Sequence, residues 1–69
     1  MQGTISKVIS AKGFGFIRGV DGHEYFFHMS SLQRTSSHQF ADLIEGLAVS
    51  FDSVKAEKGP RAINVEVAG

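Results

Sequence analysis

Hydrophobic and polar positions alternate with a period of two in five short runs, and no segment sustains a 3.6-residue apolar period. The pattern therefore predicts strands rather than helices. The first run, residues 4–10, is rich in β-branched side chains, which suit a pleated, half-buried surface. The second covers residues 13–19 and the third residues 25–29. Between them Val20-Asp21-Gly22 marks a tight reversal, because Asp-Gly tolerates the positive φ that such turns require. The fourth run, 48–54, alternates Val49 and Phe51 with Ala48, Ser50 and Asp52. The fifth, 62–67, sets Ile63, Val65 and Val67 against Asn64 and Glu66, after a turn at Lys58-Gly59-Pro60. Ser30-Ser31-Leu32 can start one helical turn, and the polar residues 33–39 have nothing to bury and read as a surface loop. Five closely spaced strands in 69 residues predict one all-β domain over residues 1–69, a closed or nearly closed barrel.

The alternation also sorts side chains between the two faces of each strand. Phe14, Phe16 and Arg18 share one face of the second run, while Gly13, Gly15 and Ile17 take the other. In the third run Phe26 goes with His28, which leaves Tyr25, Phe27 and Met29 for the interior. Tyr25, Phe27, Val49, Phe51, Ile63 and Val65 are the expected core. If Phe14 and Phe16 were core instead, Arg18 would be carried inside with them, and a charge on the core face of so small a barrel is costly. The phenylalanines are therefore expected to face water beside lysine, arginine and histidine. Such a row suits base stacking, since π faces accept any base and cations hold phosphates.

Charge sharpens this expectation. Seven Lys plus Arg balance seven Asp plus Glu, which argues against the phosphate grip of a strongly basic protein. Binding must lean on stacking and a local positive patch. The chain has no cysteine, hence neither a disulfide framework nor a thiolate metal site, in keeping with a reducing compartment. No apolar run approaches the eighteen or so residues of a membrane span, and no signal-peptide pattern opens the chain. A soluble, cytoplasmic protein without membrane or small-molecule partners, a monomer or weak dimer, is expected. A domain this small buries only about 60% of its unfolded surface, so its stability is expected to be marginal. His28, Ser30 and Asp42 supply the side-chain types of a hydrolytic triad, but His28 would project from an open platform with no water-excluded pocket, so no enzyme is expected. His23, His28 and His38 lack the spacing and the acidic or thiol company of a zinc site. No metal or cofactor is implied.

These residues carry a family resemblance running from Gly3 to Val67. Lys12-Gly13-Phe14-Gly15-Phe16-Ile17 resembles the first ribonucleoprotein motif of the cold-shock domain, and Phe26-Phe27-His28 resembles its second. Phe40 followed by Leu43 and Gly46 is similar to the family's loop aromatic and its surroundings, and Gly59-Pro60-Arg61-Ala62 with Asn64-Val65 is similar to its ending. The resemblance implies a five-stranded antiparallel OB-fold barrel that binds single-stranded RNA or DNA with little sequence preference, as an RNA chaperone or cold-shock-type regulator. By the same likeness Phe14, Phe16, Phe26 and His28 would stack on bases, with Phe40 closing over one end. Lys7, Lys12, Arg18, Lys58 and Arg61 would supply phosphate or polar contacts.

The chain departs from the family at three places. Where the first strand usually carries Trp-Phe this one reads Lys7-Val8-Ile9, and either Lys7 or Val8 holds the tryptophan position, depending on where a gap is placed. Met29 replaces a phenylalanine after the histidine; its thioether can lie against a base but lacks a full π face. The loop at 33–39 is longer than usual. The reduced aromatic face leaves an alternative, a barrel used for protein docking or dimerisation. The first motif also opens the signature of the RNA-recognition motif, but that signature expects an aromatic where Gly19 stands, and its fold needs two helices.

Overall fold

In the computed structural model of the chain, residues 1–32, 43–57 and 59–67 are described. Five strands, β1 (Gln2–Ile9), β2 (Phe14–Gly19), β3 (Glu24–His28), β4 (Ala48–Ala56) and β5 (Gly59–Val67), close into a barrel in the order β1-β2-β3-β5-β4. Every pairing is antiparallel except β3 with β5, which is parallel and sets Phe26 opposite Arg61. β1 begins earlier than the alternation indicates, because Gln2 and Gly3 pair with Ser50 and Val49 of β4 to close the barrel. The terminal amino group adds a hydrogen bond to the Phe51 carbonyl at 2.6 Å. The last two strands run on through Ala56 and Gly59, which pair with each other, so Gly59-Pro60 belongs to β5 rather than to the turn. Gly59 has φ 118°, a conformation that side-chain-bearing residues rarely adopt. Among the described residues no helix is long and apolar enough to cross a membrane.

The core comprises Ile5, Ile17, Tyr25, Phe27, Leu43, Val49, Phe51, Ala62 and Val65. Gly15 sits directly over it: a Cβ there would come within 2.5 Å of the Lys7 carbonyl oxygen and 2.9 Å of the Phe27 ring. Two expectations about the interior are corrected. Ile63 is only half-buried and Ala62 lies inside instead. Between the pairs Ser50 with Glu66 and Asp52 with Ile63, β5 carries one residue more than β4, and Asn64 has a left-handed φ of 52°. This bulge reverses the alternation, since a slip of one residue exchanges the two faces of a strand. Met29 is 51% exposed rather than interior, because β3 ends at His28 and a single 3-10 turn, Met29–Ser31, carries the chain off the sheet.

Tyr25 packs its ring on Phe51, with centroids 5.0 Å apart, and its hydroxyl donates to Asp21 Oδ2 at 2.5 Å. The other Asp21 oxygen accepts the His23 N–H at 3.1 Å. The Tyr25 hydroxyl first, then the His23 amide, hold the Asp21 carboxyl below its ordinary 3.8. The same hydrogen bond raises the Tyr25 phenol above 10.0. For a carboxylate with a depressed folded value, the stabilisation is present above the unfolded value and lost as pH falls through the folded one. Melting temperature is therefore expected to drop below about pH 4, and less steeply in Tyr25→Phe than in the parent. Equal slopes in the two proteins would show that the contact is not linked to folding.

Candidate nucleic-acid interface

Directly opposed residues of an antiparallel pair project from the same face of the sheet. Phe14 of β2 opposes His28 of β3, and Phe16 opposes Phe26, so these four side chains form one outer patch. The rings of Phe14 and Phe16 are 6.2 Å apart edge to face, those of Phe14 and Phe26 5.4 Å apart and tilted, and those of Phe16 and Phe26 5.9 Å apart edge to face. The three phenylalanines are half-buried rather than fully open to water as the alternation suggests, and the rings lean on one another. Edge-to-face and tilted pairs at these separations are the favourable aromatic arrangements.

β1 adds residues to the same patch through a bulge. Ile5 opposes Ile17 but Lys7 opposes Phe16, which leaves Ser6 as an extra residue on β1. Ile5 and Val8 consequently turn inward, Val8 packing against the core. Lys7 and Ile9 turn outward beside Phe16 and Phe14. The choice between Lys7 and Val8 that the sequence left open is thereby made: Lys7 is on the outer face. Ile9 is a member of the patch that sequence reasoning missed. Its only signal is the unbroken alternation of residues 5, 7 and 9, which points the wrong way without the bulge.

The remaining candidate residues surround this patch unevenly. Arg18 is exposed and opposes Glu24, two pairs further along β2 from Phe16. Lys12 is exposed in the turn between β1 and β2, where its amide donates to the Ile9 carbonyl at 3.1 Å. Met29 lies over that turn: its amide donates to the Gly13 carbonyl at 2.8 Å, and its Sδ would be 2.9 Å from a Cβ on Gly13. Phe40 and Lys58 lie outside the described residues. His28 caps the 3-10 turn with its ring. Nδ1 accepts the Ser30 N–H at 3.2 Å and is 2.9 Å from the Ser30 hydroxyl. With Nδ1 accepting, the neutral ring carries its proton on Nε2, leaving that nitrogen as a donor.

Arg61 reaches the patch from β5. Its guanidinium carbon is 5.8 Å from the centroid of the Phe26 ring, within cation–π range. Its Nε is buried without a hydrogen-bond partner among the described residues, an arrangement that costs about 1–3 kcal/mol when nothing compensates. Beside it opens a pocket of about 650 Å³ lined by Phe16, Phe26, Ala56, Glu57, Pro60 and Arg61. Among the described residues no group of three His, Asp or Glu side chains is placed to hold a metal ion.

A closed five-stranded barrel with an aromatic patch on β2 and β3 is an OB-fold architecture. The 'Cold-shock' DNA-binding domain family matches residues 1–68. Cold shock protein 1 of Lactiplantibacillus plantarum is 41% identical over 64 residues, covering 93% of this chain and 92% of that one. The cold shock-like protein CspC of Bacillus cereus is 42% identical over 65 residues, covering 94% and 95%. The solved structure of Drosophila Unr CSD456 superposes with a TM-score of 0.76 at 29% identity; it covers 99% of this chain, which spans 26% of that longer one. The chain belongs to the cold-shock domain family.

Proposed function

We propose that this cold-shock domain holds single-stranded RNA or DNA on the outer face of β1, β2 and β3, with little sequence preference over most of its length. Phe14, Phe16, Phe26 and His28 stack on successive bases, Met29 lies against one more, and Lys7, Lys12, Arg18, Lys58 and Arg61 hold phosphates or polar edges, with Phe40 closing over one end. The observation that carries this reading is the register, which brings three phenylalanines and a histidine from two strands into one contiguous outer patch. Every base so stacked is unavailable for pairing, which is the action of an RNA chaperone. A cytoplasmic site of action follows from that role, since transcripts are found there.

Titration with a short oligothymidine, followed by NMR, tests the reading: shifts are expected to cluster on residues 12–18 and 26–29. Shifts confined elsewhere, or none, would favour the barrel as a protein-docking surface. Salt supplies a second test. On a protein whose charges balance, stacking is expected to outweigh counterion release, so log K should fall against log[salt] with a slope of only about −1 to −3, equivalent to a few phosphate contacts on a single strand. A slope near about −6 would mean a large basic surface and a different mode of binding.

A further inference from the structure

Resting on that reading, we infer that Arg61 and Glu57 make the pocket beside Phe26 a guanine-selective base site, so that one position of the bound strand is read while the others are merely stacked. The pocket combines two aromatic walls, Phe16 and Phe26, with the apolar Ala56 and Pro60, and sets one cation and one carboxylate on its lining. A carboxylate is out of place where only phosphate is to be held, because it repels the backbone. Against a base edge it is an acceptor for N–H groups.

Guanine is the base whose edges give both groups a paired contact at once. Its O6 and N7 accept the paired N–H donors of a guanidinium, the commonest specific contact to that base. Its N1–H and N2–H₂ donate to a carboxylate. Adenine sets single acceptors beside its N6 amino group, thymine and uracil one N–H between two carbonyls, and cytosine one amino group beside its N3 and O2 acceptors, so each can meet both protein groups but none gives both of them a paired contact. Arg61 is also held for the task. The Phe26 ring beneath its guanidinium and the enclosure of its Nε limit its rotamers, and a planar fork fixed in advance loses little freedom on binding. The parallel pairing of Phe26 with Arg61 brings β5 to Phe26, so the barrel closure itself builds the site.

The test measures the affinity of the whole chain for heptathymidine and for heptamers carrying one guanine at each position in turn. At least one guanine heptamer is expected to bind about 5- to 150-fold more tightly than heptathymidine, the range of one good bidentate base contact. Arg61→Gln should bring that ratio close to unity, and Glu57→Gln should lower it. In the parent, 7-deazaguanine, which lacks N7, should lose part of the gain, while in Arg61→Gln it should make no difference. Binding of heptathymidine with no preference for guanine overturns the inference and leaves the stacking platform intact. A preference that survives both substitutions, or an Arg61→Gln that weakens all heptamers equally, overturns it too, the latter marking Arg61 as a phosphate contact. A chain that binds none of the oligonucleotides overturns the platform reading, and this site with it.

Discussion

Phe27→Ala is expected to unfold the barrel or leave it barely stable, whereas Phe16→Ala, on the neighbouring strand, is expected to leave it folded and weaken its hold on nucleic acid. Phe27 is fully buried and touches the space that Gly15 keeps open. Truncating such a ring costs about 3–5 kcal/mol, against a total stability of roughly 3–10 kcal/mol for a domain of this size. Phe16 is half-buried on the outer face, against Phe14 and Phe26. Its removal should cost one stacked base, about 1–3 kcal/mol of binding, and distinctly less stability than Phe27. Thermal denaturation and oligothymidine titration of the two variants check both halves. If Phe16→Ala unfolds the domain as readily as Phe27→Ala, the outer aromatics are structural and the platform assignment fails.

Lys7→Trp is expected to tighten binding to a pyrimidine-rich single strand by up to about 1–3 kcal/mol, and Val8→Trp to destabilise the fold by about 1–3 kcal/mol through overpacking. The opposite signs follow from the bulge at Ser6, which sets Lys7 opposite Phe16 on the outer face and turns Val8 toward the core. Lys7→Trp exchanges a cation for a ring, so the salt slope should also become shallower, by about 0.7 if Lys7 contacts a phosphate. Quenching of the new tryptophan on titration reports directly whether it meets the ligand. A Lys7→Trp variant that folds, shows no quenching and gains no affinity would remove β1 from the interface.

The outer face of β2 and β3 could be read from the chain alone because strand alternation is local: Phe14 and Phe16 must project together, and Arg18 on the same side excludes the core. The motifs at residues 12–17 and 26–28 pointed to the family for the same reason, since each is short and contiguous in sequence, the first running from the β1–β2 turn into β2 and the second lying within β3. Reading failed wherever one strand's geometry depends on its partner. A bulge is one extra residue relative to the neighbouring strand, so the insertions at Ser6 and near Asn64 leave no mark on periodicity, yet they send Lys7 and Ile9 outward and exchange Ile63 for Ala62. Met29 was misplaced because the end of β3 is set by where its pairing stops, and the 3-10 turn that follows lifts the side chain out of the sheet. The pocket at Arg61 is the most distant of these consequences. It joins residues far apart in sequence, and only the closing of the barrel, β5 laid parallel to β3, brings the guanidinium over the Phe26 ring.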